Sequence, residues 1–468
     1  MNNQELLKHI PAVDKILCDP EIKNFISEIA PQYTVKIIRK KLDEFRRAAY
    51  ENQLPSDIGT NLQAYLKKTI IQEIKSLIEP YFRYAINALG IILHTGLGRA
   101  PLSHNLAQVA YNIAYRYSRL QIDDEGRRDD RYKKISKLLQ IITDCEAGII
   151  VNNNAAATLL ILTALAQGKE VIVSRGQLIE IGGSFRLPEI MKVSGAILKE
   201  VGTTNRTHLK DYEEAITENT AVIMRVHQSN YRILGFTKEV PLEELVNLGR
   251  KYQIPVVDDL GSGALLDFSK YGLPKEPLVQ DSIKCGADLV CFSGDKLIGG
   301  PQCGFIIGKK KLIDKIKKHP LARALRCDKF TNALCEATLS IFLKPEETII
   351  KEHGVIGLML KPTSKIKRQA HKLYRLLKNA FGNDLELEVR ADVSEIGGGS
   401  LSTEELPTYV LAIRTRQMSS TDLARRLRRY RVPIFGRLKD DWVLLDFRTI
   451  FDGEEKIIFQ AFKDILGS

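Results

Sequence analysis

Short apolar runs alternate with longer amphipathic stretches through the middle of this chain. From about residue 88, "GIIV" precedes "AAATLLILTALAQG", and "EVIVS", "GAILKEVG", "AVIMRVH", "IPVVDD" and "DLVCFSG" follow with polar-faced segments between them. β-Branched runs separated by segments of helical period predict buried strands of a mainly parallel sheet, covered by helices on both faces. The predicted fold class is therefore α/β, with a large domain over 88–340. Upstream, "TVKIIRKKLDEFRRAA" spaces Val35, Ile38, Leu42, Phe45 and Ala49 by threes and fours, and sets Lys36, Arg39, Lys40, Arg46 and Arg47 on the opposite face. That is an amphipathic helix. The Pro, Gly, Asn and Asp of "ENQLPSDIGTN" interrupt the pattern near residues 51–61. A helical N-terminal domain is thus expected over 1–60 and a linker helix over 61–87. After residue 340, "SKIKRQAHKLYRLLKNAFG", "PTYVLAIRT", "STDLARRLRRY" and "DWVLLDFRTI" predict a small α+β C-terminal domain over 341–468.

Composition narrows the class of protein. The 468 residues are 44% hydrophobic, enough for several cores. No apolar run approaches the roughly 20 residues that span a bilayer, and the N-terminus lacks the apolar core of a signal peptide. Seven cysteines without a CxxC pair fit neither a disulfide framework nor a zinc site, so a reducing cytoplasm and no metal are expected. The net charge of +12 favours a polyanionic partner, because clustered Lys and Arg release counterions when they meet phosphates.

One lysine changes the picture. In "CFSGDKLIGGPQCG", Lys296 lies just past a strand end, where ligands bind in open α/β sheets. A lysine in such a cleft can form a Schiff base with an aldehyde cofactor, of which pyridoxal 5′-phosphate is the common biological case. Alone, it reads as an ordinary surface turn, but two further features agree. That cofactor needs an acid against its ring nitrogen, and "IPVVDDLGSG" offers Asp258 and Asp259. Asp259 is preferred, since the residue two along on its strand face is Gly261, small enough to lie under a ring. The phosphate needs backbone donors at a helix start, and "GIIVNNNAAATLLIL" supplies a strand, three asparagines and a helix of small residues. Asn154, Ala155 and Ala156 are the expected cradle, with the Ser293 hydroxyl nearby. Arginines form a second concentration: Arg99 in "LHTGLGRAPLS", Arg127, Arg128 and Arg131 in "DDEGRRDDRY", and Arg323 and Arg326 in "HPLARALRCDKF", the last two expected three apart on one helical face. Guanidinium forks recognise phosphate-like oxyanions.

Taken together, the motifs resemble those of the bacterial selenocysteine synthases, the L-seryl-tRNA(Sec) selenium transferases. The resemblance runs from "IPAVDKIL" through "LHTGLGRAPLS", "VNNNAAATLLIL", "SRGQLIEIGGSFRLPEIM", "VGTTNRT", "SNYRILGFT", "DDLGSGALLD", "FSGDKLIGGPQCG", "HPLARALRCDK" and "EIGGGS" to "LLDFRTI". It implies a pyridoxal-phosphate fold type I enzyme, aspartate-aminotransferase-like, that eliminates water from seryl-tRNA(Sec) to give an aminoacrylyl-tRNA and adds selenium from selenophosphate. By the same resemblance Lys296 is the cofactor lysine, Asp295 an active-site acid, and Arg99, Arg131, Arg323 and Arg326 the active-site arginines. It also implies tRNA contact by the N-terminal domain and a ring-shaped homo-oligomer of dimers, a decamer. Gly96 and Gln177 depart from the family pattern, standing where asparagine and glutamate are expected. The alternative is a fold type I lyase acting on a free sulfur or hydroxy amino acid, which leaves the N-terminal domain and the surplus positive charge unexplained.

Overall fold

The computed structural model describes residues 3–26, 28–54, 58, 61–181, 185–401 and 404–467. The chain divides into two compact units, 1–84 and 85–468. Part of the expected boundary in "ENQLPSDIGTN" and the middle of "SRGQLIEIGGSFRLPEIM" lie outside the described residues.

The N-terminal unit is helical. Its two long helices, Pro31–Tyr50 and Leu62–Ile78, pack against each other through Ile38, Leu42, Phe45, Leu66, Ile70 and Ile74. Proline occupies the first turn of one, where no N–H is needed, and Asn61 Oδ1 accepts the Ala64 N–H to cap the other. The segment expected as a linker helix therefore supplies Leu62, Leu66, Ile70, Ile71 and Ile74 to this unit's core. Lys36, Arg39, Lys40, Arg46 and Arg47 are all exposed.

The second unit holds two sheets. The larger has seven strands in the order Ala147–Val151, Gly304–Gly308, Leu289–Ser293, Val256–Gly261, Thr220–Val226, Glu170–Ser174, Ile197–Val201. Only Gly304–Gly308 runs antiparallel to its neighbours. Its central strands are buried on both faces, which accounts for the unbroken apolar runs in the sequence. The smaller sheet has five strands, Ile86–Ala88, Ile434–Lys439, Trp442–Asp446, Glu405–Thr415 and Leu385–Glu395. One of its faces, with Leu411, Ile413, Val443 and Leu445, is covered by the helices Thr363–Phe381, Ser420–Arg429 and Glu454–Leu466.

Two motifs shared with the resembled family anchor the smaller sheet to the segments around it. The Ile92 and Leu93 N–H groups donate to the Glu395 and Ile396 carbonyls at 3.0 and 2.7 Å, so "EIGGGS" runs beside "LHTG". In "LLDFRTI", Arg448 is buried and donates to the carbonyls of Leu358, Met359 and Pro407. Its neighbour Asp446 accepts from Ser394 and Thr408 and leaves room only for a glycine at position 90, where an added Cβ would lie 2.0 Å from Asp446 Oδ2. Among the described residues no helix is long and apolar enough to cross a membrane, and no group of three or more His, Cys, Asp or Glu could hold a metal.

Candidate active site

Lys296 sits in a turn that the sequence tightens with glycine. Past the strand Leu289–Ser293, Gly294 N–H donates to the Cys303 carbonyl, Gly300 N–H to the Gly294 carbonyl, and Gly299 N–H to the Lys296 carbonyl. A Cβ on Gly294 would lie 2.4 Å from Cys303 Sγ, and one on Gly299, whose φ is +66°, would lie 2.1 Å from the His353 ring. The backbone thus closes on itself and turns the lysine inward, leaving it 4% exposed. Burial, reinforced by the Arg99 guanidinium, pushes the Lys296 pKa down, while Asp295, Asp259 and Glu276 oppose that shift.

Asp295 is buried and accepts from Arg99 Nη1 at 2.9 Å. Arg99 reaches it from a left-handed backbone, φ +61°, an uncommon state for a non-glycine residue that follows Gly98. The pair lines an open cleft of about 360 Å³ with Thr95, Gly98, Gly300 and Gln302. From the other side Gly399 comes close enough that an added Cβ would stand 4.0 Å from Lys296 Nζ.

The two aspartates of the neighbouring strand separate by face. Asp258 is fully buried, paired with Arg225 at 3.0 Å and bonded by Ser282 at 2.7 Å. Asp259 accepts from Asn154 Nδ2 at 2.8 Å and Thr158 Oγ1 at 3.2 Å, both on the helix Asn154–Ala166. Burial raises its pKa, so a cationic N–H placed against it would be well received. At that helix's start, Asn153 Oδ1 caps the Ala156 N–H at 2.8 Å. This corrects the expected cradle: Ala156 has its donor committed, whereas no hydrogen bond among the described residues takes the backbone N–H of Asn154 or Ala155. Ser293 is buried at the end of its strand, three residues before Lys296.

The remaining arginines gather elsewhere. Arg131 donates to the Cys327 carbonyl at 3.3 Å and to Gln121 Oε1 at 3.0 Å. Arg323 and Arg326 do not share a helical face as expected. The helix that begins at Pro320 ends at Ala324, and Arg326 lies in an extended bridge beside Val151, with the Leu325 carbonyl accepting the Asn152 N–H. Arg323 is the fourth residue of that five-residue helix, so Arg326 falls two residues past its end. Arg326 thus lies between Leu325, whose carbonyl takes the Asn152 N–H, and Cys327, whose carbonyl takes Arg131, while Arg323 stays exposed on the short helix. Neither Arg323 nor Arg326 has a carboxylate partner among the described residues. Among the described residues no hydrogen bond or ion pair joins these three arginines to the Lys296, Asp295 and Arg99 group.

Two groups near the lysine escaped sequence reasoning. His227 Nε2 lies 3.4 Å from the buried Glu276 carboxylate, and the His227 backbone N–H donates to the Asp259 carbonyl. Ser229 is buried with its hydroxyl unpartnered and faces Gly261. The signal was "RVHQSN" at the end of a strand beside the aspartate strand. Gln177, the departure from the family pattern, accepts the Val226 N–H at 3.1 Å and so caps that same strand.

Polar groups left open in this chamber fit pyridoxal phosphate. They comprise a buried amine, a buried carboxylate, two free N–H groups at a helix start, and the orphaned Asn154 Oδ1 and Ser229 Oγ. The family model for L-seryl-tRNA selenium transferase matches residues 85–451. A curated protein of Alkaliphilus oremlandii named L-seryl-tRNA(Sec) selenium transferase is 44% identical over 470 residues, covering the whole of both chains. One of that name from Clostridium botulinum (strain Okra / Type B1) is 43% identical over 467 residues, again covering both completely. Among solved structures, that of D-glucosaminate-6-phosphate ammonia-lyase matches with a TM-score of 0.56 at 18% identity, covering 84% of this chain and 98% of its own, a likeness of fold alone. With a family match over most of its length and relatives of this identity end to end, the chain belongs to the L-seryl-tRNA selenium transferase family.

Proposed function

We propose that this protein converts L-seryl-tRNA(Sec) to L-selenocysteinyl-tRNA(Sec), with pyridoxal 5′-phosphate as cofactor and selenophosphate as selenium donor. Family membership and the full-length relatives support the substrate. The observation that carries the chemistry is the burial of Lys296 at a strand end between the Asp295–Arg99 pair and the Asp259–Asn154 pair.

Bound there, the cofactor supplies an electron sink for the charge left when the substrate's α-proton departs. Lys296, its pKa pushed down by burial, would hold the cofactor through its amine, and that amine would serve as the base toward the substrate's α-proton. Asp259, held by Asn154 and Thr158, would be the carboxylate partner of the ring nitrogen. The Asn154 and Ala155 N–H groups, with the Ser293 hydroxyl, take the phosphate at the helix start. Asp295 is assigned to the departing β-hydroxyl, positioned by its bond to Arg99. A seryl ester has no free carboxylate, so Arg131, Arg323 and Arg326 are left to take the oxyanions of selenophosphate or the tRNA end.

The N-terminal unit, with its exposed basic helix face, is assigned to the tRNA. A ring of dimers carries over from the resemblance. Tyr111, Tyr115, Tyr117, Leu234 and Phe236, all more than half exposed, are the side chains that subunit burial would cover. Seven free thiols support a cytoplasmic setting.

Incubation of the purified protein with seryl-tRNA(Sec) and selenophosphate tests this reading. Selenocysteinyl-tRNA should form, and Lys296→Ala should abolish both product and the visible absorbance of lysine-bound cofactor. Turnover of free serine or cysteine without RNA would overturn it in favour of an amino-acid lyase. Arg323→Ala combined with Arg326→Ala should raise the selenophosphate concentration needed for half-maximal rate; an unchanged dependence removes those two from the donor site.

A further inference from the structure

The helical layer over the five-stranded sheet has no part in the site described above, yet two of its helices hold a dense excess of positive charge. Thr363–Phe381 carries six lysines and arginines and no carboxylate. Ser420–Arg429 carries four arginines against one aspartate. Each helix buries its apolar stripe, Ile366, Ala370, Leu373 and Leu377 in one and Leu423, Ala424 and Leu427 in the other, and so turns its cations outward.

The few acids present are already engaged. Asp422 holds Arg425 and accepts from the Ser419 hydroxyl, Asp452 holds Lys365, Asp464 accepts from Tyr430 and Gln460, and Glu455 is buried against Lys372. Arg368, Arg426, Arg428 and Arg429 are exposed and have no carboxylate partner among the described residues. Arginines three and four apart on one helix repel, each such pair costing a few tenths of a kcal/mol. A solvated face that needed only solubility would alternate signs along the helix. Guanidinium in place of ammonium adds a fork that fits two phosphate oxygens at once.

We infer that this face of the C-terminal helices docks the phosphate backbone of double-helical RNA, a second RNA contact besides the N-terminal unit. The inference rests on the proposed tRNA substrate and extends it: the arm of the tRNA remote from the reacting end lies on Arg426, Arg428 and Arg429, with Arg368 on the neighbouring helix. Such contacts position the RNA and carry no base sequence.

The test uses the full-length holoenzyme and a variant with Arg426→Gln, Arg428→Gln and Arg429→Gln. A second variant, Lys311→Gln, Lys315→Gln and Lys318→Gln on the helix Lys310–Lys318, removes the same charge from another exposed face. Binding of tRNA(Sec), and of an unrelated RNA duplex, is measured between about 50 and 200 mM salt. The arginine variant should bind tRNA about tenfold more weakly, and its slope of log affinity against log salt should fall by about 2 to 3. The rate at saturating seryl-tRNA and the cofactor absorbance should match the parent, which also shows that the variant is folded. Unchanged affinity and slope, or an equal loss in the lysine variant, overturns the docking face. If the parent forms no selenocysteinyl-tRNA yet loses duplex RNA affinity through these arginines, the docking face stands and the substrate assignment is what fails.

Discussion

Lys296 and Asp295 are chain neighbours under opposite electrostatic demands. The lysine must lose its proton to react, and the Arg99 guanidinium favours that loss while the Asp295 carboxylate opposes it. Removing either partner should therefore move the lysine in opposite directions. Asp295→Asn leaves Arg99 unneutralised, so the pH at which apoprotein captures pyridoxal phosphate at half-maximal rate should shift to lower pH. Arg99→Gln should shift it to higher pH. Stopped-flow absorbance over a pH series checks both signs, and a common direction would refute the arrangement. Turnover in Asp295→Asn should also drop by about a hundredfold or more, the size expected for loss of a positioned acid. A second pair of variants separates Asp258 from Asp259. Asp259→Asn should keep the fold and lose roughly a hundredfold or more in rate, as buried electrostatic partners of a reacting group do. Asp258→Asn should instead cost about 3 kcal/mol of stability, because it strands the Arg225 guanidinium beside a buried amide. Thermal melting together with steady-state rates distinguishes the two. In the sequence, strand alternation through Gly261 favours Asp259, whereas the strand bulges between the two, and what separates the aspartates is Asn154 and Thr158 on one and Arg225 on the other. The committed N–H of Ala156 was not legible there, since three consecutive asparagines leave open which one caps the helix.

At the level of the element, the turn 294–300 depends on what lies beneath it. His353 Nε2 is 2.8 Å from the Ile298 carbonyl and Nδ1 accepts the Ile356 N–H, an arrangement that a neutral ring alone satisfies. Burial lowers its pKa to about 4 from an ordinary 6.5. The unfolded chain takes up a proton near pH 6.5, whereas the folded one resists until about pH 4. The stabilisation from the neutral ring is thus complete above pH 6.5 and is lost as pH falls toward 4, by roughly 3 kcal/mol. Melting temperatures of the parent and of His353→Gln should converge across that interval, and a gap that stays constant would show that the ring does not titrate. Gly299→Ala should act on the same contact at every pH. Its Cβ would meet the His353 ring at 2.1 Å from a positive φ, so both stability and cofactor capture should fall. Elements of this kind were half legible. The glycines around Lys296 announced a tight turn, but the histidine that fixes it is 57 positions away and carries no periodic signal. The strands were readable because β-branched runs buried on both faces leave a continuous apolar record. The Arg323–Arg326 face was misread because spacing assumes that a helix continues, and this one ends within five residues.

Over the whole molecule, the buried strands of the larger sheet were visible in sequence, whereas the first strand of the five-stranded sheet was not. The strand Ile86–Ala88 lies at the start of the second unit and pairs with Ile434–Gly436, near the other end of the chain. Three residues are too few to show alternation, and nothing local names so distant a partner. That pairing has a consequence for truncation. The N-terminal unit buries its own core of Ile22, Ile38, Leu42, Ile70 and Ile74, and the second unit begins at Ala85. A chain starting at residue 85 should therefore fold, capture pyridoxal phosphate through Lys296 and show its visible absorbance, while binding tRNA(Sec) at least about tenfold more weakly for want of the basic helix Pro31–Tyr50. A chain starting at residue 90 deletes only five residues more. It removes Ile86 and Ala88, both completely buried, and leaves the Pro433 carbonyl and the edge of Ile434–Lys439 without their partner strand. Loss of one buried isoleucine alone costs about 2 to 5 kcal/mol, so this second chain should melt well below the first or fail to accumulate. Equal melting of the two would mean that the five-stranded sheet does not need its first strand. Loss of cofactor absorbance in the chain from residue 85 would mean that the N-terminal unit contributes to the lysine site as well as to the RNA.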